Sequence, residues 1–274
     1  MLPIFRVDGE DQSGFNIQFQ VGGSVTRYFN LMRNISNWSL YLGIKFGLTN
    51  PDPIHFTTRT GVVVEVPRRL LQTFKEVFMD ECYMNGLQRS VPKGGTVIDI
   101  GANAGFFSLF AASKFDHPHI YSYEPIPANF KQLEQNRQLN AKYDIHPHQN
   151  AVAGKAGEIT LTFDPSDSFT TSASMTRPQE GEEIQVNCVT LQDIFETYGL
   201  ERCDFLKMDC EGAEYDIFYN CSEDIMSRID QIAMEVHKGP EPRHDMESME
   251  QFFKHHGFKT QRRPVDMLWA WKPN

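Results

Sequence analysis

The order of apolar and polar positions divides the chain into two unlike parts. From Val97 onward, short apolar runs rich in β-branched residues alternate with longer segments of mixed character. Such runs read as buried parallel strands, and the segments between them as helices. Strands are predicted at 96–100, 119–123, 144–148, 203–208 and 229–236, with an edge strand at Gly157–Phe163 and another at 183–189. Helices are predicted at 104–114, 128–139, 191–197 and 245–256, with one more ending near Asn220. Thr190 and Asp193 form a capping box that starts the helix at 191. The chain closes in an antiparallel pair, 257–261 and 267–271, around Arg263 and Pro264. This alternation predicts an α/β, doubly wound and mostly parallel sheet. A closing hairpin in place of another β-α-β unit sets it apart from a dinucleotide-binding sheet.

The pattern before Val97 is different. Residues 1–26 are polar and short on periodicity, with one strand expected at Phe15–Val21. Tyr28, Leu31, Met32, Ile35, Trp38, Leu42 and Phe46 then recur at helical spacing, which predicts one amphipathic helix from Thr26 to about Gly47. Pro53–Val66 reads as a hairpin turning through Arg59, Thr60 and Gly61, and a helix follows over Leu70–Cys82. Residues 1–90 are therefore read as an N-terminal α+β extension, a lid or acceptor-pocket segment, on a domain spanning 91–274. Asp164–Arg177 is a long Ser/Thr-rich loop, and a loop of that length in a compact domain calls for a functional or mobile role.

Composition narrows the function classes. Apolar residues make up 40% and aromatics 12%, as in a globular chain. The net charge of −10, with no basic run of any length, disfavours a nucleic-acid partner. No apolar run approaches membrane-spanning length, so no membrane partner is expected. The start lacks a signal-peptide pattern, and the five cysteines are scattered and odd in number. Both point to reduced thiols in a cytoplasmic protein. On that reading the glycosylation-like tripeptides at Asn34, Asn37 and Asn220 are chance matches.

The chemistry concentrates at strand ends. Asp99-x-Gly101-x-Asn103-x-Gly105 turns the strand 96–100 sharply into a helix that begins near Phe106. Glycines let backbone approach a ligand, and the helix start offers free N–H groups. A pyrophosphate turn would need Gly-x-Gly-x-x-Gly, but Asn103 occupies the middle position and the third glycine is missing. Asp99, two residues before the turn, suits an ammonium group or a bridging water. Glu124, followed by Pro125, ends the next strand and is placed to take two ribose hydroxyls. Asn150 and Ala151, past the third strand, would lie beside an adenine ring. An amino-acid end near Asp99 and Gly101 with a ribose on Glu124 describes S-adenosylmethionine.

A second constellation is expected from the fourth and fifth strands. Their carboxyl ends carry Asp209, Glu211, Glu235 and His237, which converge on one rim of an open sheet. Three explanations stand: His237 as general base oriented by Glu235 or Asp209; a divalent metal held by the carboxylates; or carboxylates that stabilise a cationic cofactor and bind the acceptor. Against these, Glu211 and Glu214 are also residues that simply favour a helix N-terminus. Lys207, mid-strand among apolar residues, either pairs with a carboxylate or snorkels.

These residues carry a resemblance. Val97–Phe106, Tyr123-Glu-Pro125, Asn150-Ala-Val152, Phe205-Leu-Lys-Met-Asp-Cys-Glu-Gly-Ala-Glu214 and Glu235-Val-His237 resemble the FkbM family of S-adenosylmethionine-dependent methyltransferases over residues 60–272. The resemblance implies a class I, Rossmann-like fold with a seven-stranded sheet. It also implies O-methylation of a hydroxyl on a sugar, glycan or small natural product. Asp99, Gly101, Asn103 and Glu124 match the cofactor positions. Residues 1–60 match nothing in the family, so acceptor identity stays open, as do a metal requirement and a homo-oligomeric state. A base-modifying N-methyltransferase would carry Asn/Asp-Pro-Pro-aromatic where Asp209-Cys-Glu-Gly stands. A non-catalytic binding module on the same fold is the alternative of a different class.

Overall fold

A computed structural model describes residues 23–163 and 182–273. The expected strand at Phe15–Val21 and the loop Asp164–Arg177 lie outside these residues. The described chain opens with α1 (Gly23–Asn34), α2 (Ser39–Lys45), β1 (Ile54–Thr57), β2 (Val63–Val66) and α3 (Leu71–Phe78). The alternating part runs β3 (Thr96–Ile100), α4 (Phe106–Lys114), β4 (His119–Tyr123), α5 (Pro127–Leu139) and β5 (Ile145–His148). Next come β6 (Ala151–Val152), β7 (Gly157–Phe163), β8 (Glu182–Val189) and α6 (Leu191–Tyr198). The chain ends with β9 (Phe205–Met208), α7 (Glu214–Tyr219), α8 (Glu223–Ser227), β10 (Gln231–Glu235), α9 (Met246–His255), β11 (Lys259–Arg263) and β12 (Met267–Trp271).

Seven strands form the main sheet in the order β11-β12-β10-β9-β3-β4-β5. Strands β10, β9, β3, β4 and β5 pair in parallel, while β12 runs antiparallel between β10 and β11. This is the class I methyltransferase order: a parallel sheet that reverses at β3 and closes in the expected hairpin. Side chains alternate across it. Val97, Phe205, Ala233 and Trp269 enter one core; Ile98, Ile100, Leu206, Met208, Ile232 and Met234 enter the other. Both faces are covered, which is why the central strands are apolar almost throughout.

One cover is built largely from the N-terminal segment. The rings of Phe56, Phe74, Phe78 and Phe110 form a chain with centroids 4.2 to 4.9 Å apart, joining β1 and α3 to α4. The edge of β2 is satisfied by asparagines of α5 and its C-terminal cap. Val63 N donates to Asn140 Oδ1 and Glu65 N to Asn136 Oδ1, each at 2.9 Å, while Asn136 Nδ2 reaches Ala104 O at 2.8 Å. The hairpin is thereby tied to the turn that precedes α4.

Three features depart from the sequence expectation. The single helix predicted over 26–47 is two helices, because the chain between them pairs with β1. Ile35 bridges Thr58, Ser36 N donates to Thr57 O, and the Asn37 side chain bonds both His55 O and Thr57 N. Asparagine and serine compete with helical backbone bonding in this way. The helix predicted to Cys82 stops at Phe78. Asn34 Nδ2 and Asn30 Nδ2 take the carbonyls of Phe78 and Met79, and Glu81 adopts a left-handed φ of 52°. Third, β6, β7 and β8 make a separate three-stranded sheet, so Ala151 lies in a short strand beside β8 rather than in a plain loop.

Candidate active site

The carboxyl ends of β3, β4, β9 and β10 surround a cavity of about 530 Å³, within the size range of small-molecule sites. Its first wall is the turn after β3. Gly101 has φ +71°, and a Cβ there would stand 1.7 Å from the carbonyl oxygen of Asp209. Gly105 has φ +81°, and a Cβ would meet Leu133 Cδ1 at 2.4 Å. Glycine is therefore required at both ends of the turn: at Gly101 so that it can press against the chain leaving β9, at Gly105 so that α4 can pack on α5. Asn103, at φ 49°, caps its own turn by accepting from Ala104 N at 2.7 Å.

Glu124 is buried opposite this turn. Its Oε2 accepts from Asn103 N at 2.8 Å, and its Oε1 accepts from Ile126 N at 2.9 Å and Asn129 Nδ2 at 3.3 Å. Burial pushes its carboxyl up to about 7, against the lowering effect of the two amides. The carboxylate lines the cavity and retains lone pairs beyond those the amides use. Phe106, Pro125 and Ala151 line the same space, whereas Gly105 and the half-buried Asn150 are outside its lining.

Asp99 does not face the cavity. The alternation of β3 turns it toward α4, where it is fully buried. Its Oδ2 accepts from Ser108 Oγ at 2.6 Å, Ser108 bonds Ser122 at 2.7 Å, and Lys207 Nζ lies 3.3 Å from Oδ1. Lys207 thus pairs with a carboxylate, though a buried one and not one of the rim. Its ammonium also donates to Gly101 O at 2.7 Å, so the pair braces the glycine turn from behind. Burial opposes the ammonium's charge, but Asp99 and Asp209 outweigh it and hold the Lys207 pKa raised.

Three of the four residues expected at the rim reach the cavity. Asp209, Glu211 and Glu235 line the cavity. Tyr83, from the segment after α3, donates to Asp209 Oδ2 at 2.8 Å. His237 stands behind them. Its Nδ1 bonds Glu214 Oε1 at 2.5 Å, and its Nε2 lies 3.6 Å from Glu211 and 3.7 Å from Glu235. Glu214 is fully buried, and its second oxygen has no hydrogen-bond partner. Burial alone would lower the His237 pKa; Glu214, Glu211 and Asp209 override it and raise it to about 9. A ring held charged at neutral pH is a poor proton acceptor. Burial and the charge of Asp209 push Glu235 up to about 7, which suits a general base at neutral pH.

The sequence reading missed the far wall. Tyr83 and the polar side chains Arg69, Gln72, Thr73 and Glu76 also line the cavity. The spacing of 69, 72, 73 and 76 on one helical face was the available signal. Asp209, Glu211 and His237 each offer a ligand atom within 4.8 Å of the other two, the one such grouping found among the described residues. Among those residues, no helix is long and apolar enough to cross a membrane.

Comparison with known proteins follows the same lines. The model of the methyltransferase FkbM domain matches residues 99–260. Methyltransferase 1 of Beauveria bassiana is 28% identical over 180 residues, covering 59% of this chain and 71% of that protein. The 31-O-demethyl-FK506 methyltransferase FkbM of Streptomyces tacrolimicus is 28% identical over 193 residues, covering 60% and 73%. Among solved structures, the methyltransferase FkbM of Methylobacillus flagellatus aligns with a TM-score of 0.47 at 14% identity, over 74% of this chain and 54% of that one.

Proposed function

Because the chain belongs to the FkbM methyltransferase family, we propose that it is an S-adenosylmethionine-dependent O-methyltransferase acting on a hydroxyl of a sugar, glycan or small natural product. The observation that carries this is the pairing of two unlike walls in one cavity. One wall is backbone and Glu124; the other is carboxylates, with Glu235 raised to about 7. A hydroxyl acceptor must lose a proton as it attacks, and a carboxylate titrating near neutrality is suited to take it. One curated relative is named for acting on 31-O-demethyl-FK506, in keeping with an oxygen acceptor on a small molecule.

The residues present fit the cofactor. The backbone of 100–104 faces the cavity, and the buried Glu124 keeps acceptor capacity for two ribose hydroxyls. Ala151 and Ile126 offer apolar surface for a purine. S-adenosylmethionine supplies an electrophilic methyl group on a sulfonium. Lys207 and Asp99 fix the turn that receives its amino-acid end; Asp99 does so from outside the cavity, whereas Lys207 also lines it. Asp209, held by Tyr83, and Glu235 set negative charge beside the reacting centre and orient the acceptor. Alignment of the acceptor contributes on the order of 7–11 kcal/mol in reactions of this kind, and a base adds about 10²–10⁴-fold. The wall from α3 and the turn before it, with Arg69, Gln72, Thr73 and Glu76, would contact the acceptor, so the N-terminal segment sets specificity in this reading. The acidic surface and the absence of a basic run in the sequence favour a small-molecule acceptor over nucleic acid.

The test is a titration of the protein with S-adenosylhomocysteine, followed by incubation with S-adenosylmethionine and a panel of hydroxylated natural products and sugars. Binding together with a methyl mass increment on oxygen is expected. Glu235→Gln should lower kcat by about 10²–10⁴ and leave S-adenosylhomocysteine affinity intact. No binding of S-adenosylhomocysteine would overturn the reading in favour of a non-catalytic module.

A further inference from the structure

Helix α1 carries two apolar stripes, where seating on a core needs only one. Tyr28, Leu31 and Ile35, at i, i+3 and i+7, face inward; Leu31 and Ile35 are buried, and Tyr28 packs against the same core. Val25, Phe29 and Met32, at i, i+4 and i+7, form a second stripe on the outer face. The chain past α2 extends it. Lys45 Nζ lies 4.7 Å from the centre of the Tyr28 ring and 5.9 Å from that of Phe46, which sets the end of α2 beside α1. Leu48 follows two residues on. Val25, Phe29, Met32, Phe46 and Leu48 are 40% to 82% exposed; among the described residues only Leu139 and Val265 are large apolar side chains as open. None of the five lines the cavity.

The rim of this stripe is basic. Lys45 stands on one flank, through its contact with Tyr28. Arg33 stands on the other. Its partner Glu81, at 2.5 Å, is shared with Lys114 at 3.8 Å, so one acid meets two cations. Arg59 closes the far end, where its guanidinium donates to Met32 O at 2.7 and 3.1 Å. Residues 23–61 hold four basic side chains, Arg27, Arg33, Lys45 and Arg59, against one acid, Asp52, in a chain of net charge −10. Arg27 pairs with Asp80; the other three rim the stripe.

We propose that α1 and the loop after α2 dock on an anionic lipid bilayer, with the five apolar side chains entering the headgroup boundary and Lys45, Arg33 and Arg59 meeting lipid phosphates. An apolar stripe edged by lysine and arginine is the composition of a segment that lies in a membrane interface. A second copy of the chain suits this face less well, because a two-fold contact would bring two basic rims together. The acidic remainder of the chain is repelled by the same lipids, which selects one orientation. The lack of a spanning run, which disfavoured a membrane partner in the sequence, does not bear on docking at the surface.

The experiment is co-sedimentation of the full chain with two kinds of vesicle, phosphatidylcholine alone and phosphatidylcholine with about 30% phosphatidylserine. Binding to the second is expected, with loss at about 0.5 M NaCl. Phe46→Ser combined with Leu48→Ser should lower the partition coefficient by at least about tenfold. Lys45→Gln should lower it by about fivefold. Both variants should keep the parent's urea midpoint, since all three side chains are exposed. Absence of binding to either vesicle by a monomeric chain would overturn the proposal and leave the stripe to the preceding residues 1–22. A dimer in light scattering that the Phe46 and Leu48 substitutions dissolve would overturn it in favour of a second copy. Binding to anionic vesicles that ignores those substitutions would overturn it too.

Discussion

Two clusters of charge flank the end of β9, and they are built to opposite ends. In the first, Asp99, Lys207, Ser108 and Ser122 close on one another between the sheet and α4. In the second, Asp209, Glu211 and Glu235 open onto the cavity with His237 behind them, and the histidine's Nε2 has no bond at hydrogen-bond length. Both sit on neighbouring strands, and both look alike in sequence: acids and a cation at strand ends. The difference is which face of the pleat each side chain takes. A closed cluster shapes backbone, here by bracing the carbonyl of Gly101. An open one presents its charge to whatever enters the cavity.

The sharpest way to break the comparison is to empty the closed cluster. Lys207→Met leaves the Asp99 carboxylate buried without its cation. Removing one partner of a buried pair costs about 3–5 kcal/mol. Urea unfolding should show a loss of that size, with weaker S-adenosylhomocysteine binding because the glycine turn loses its brace. Adding Asp99→Asn should recover part of the stability, since a neutral pair no longer strands a charge. Recovery of stability without recovery of cofactor affinity would assign Lys207 to positioning. A Lys207→Met protein as stable as the parent would show that the cluster is not closed as described.

The open cluster should reveal itself through pH. His237 is raised to about 9 from an ordinary value near 6.5. A raised histidine stabilises the fold fully below its unfolded value, and that stability is lost as pH rises through 9. Glu124 and Glu235 are raised to about 7. Raised acids favour the fold when protonated, so their cost is absent below about 4.5 and full above 7. All three make the protein less stable as pH rises. Between pH 6.5 and 9.5 the histidine contributes a loss on the order of 3 kcal/mol. His237→Gln should flatten that part of the profile in urea titrations. A parent profile that is flat or rises from pH 6.5 to 9.5 would contradict the charge state assigned to the rim.

How much of this could be read from residues alone depended on how local its cause was. Strands β3 and β4 were placed to the residue and β9 to within two, because burial on both faces makes their apolar runs nearly unbroken. The capping box at Thr190 is satisfied within four residues, and it was legible for that reason. The break at Ile35–Asn37 was not, because its cause is β1, some twenty residues away. Asp99 was recognised as important, but its target depends on the pleat, which turns it to Ser108. Glu214 read equally well as a solvated helix cap; only the packed structure shows it fully buried and holding His237. Tyr83 belongs to no motif and reaches Asp209 across 126 positions.

Glu124 lies between the two kinds of cluster and sharpens the line between them. It is buried like Asp99, and it faces the cavity like Asp209. Its amide partners, Asn103 N and Ile126 N, would make it structural; its cavity-facing capacity would make it a ligand group. Glu124→Gln separates these roles at pH 8, where the parent carboxylate is mostly charged. If the carboxylate takes two ribose hydroxyls, the amide weakens charge-assisted bonds worth about 1.5–3 kcal/mol, so S-adenosylhomocysteine affinity should fall by about 10–100-fold. The parent's affinity should also decline as pH drops through 7, because protonation removes an acceptor, and the variant should lose that dependence. Calorimetric titration at pH 6 and 8 reads both effects. Unchanged affinity in the variant at pH 8 would move Glu124 into the closed class, as a brace for the Asn103 turn, and leave the ribose without a carboxylate.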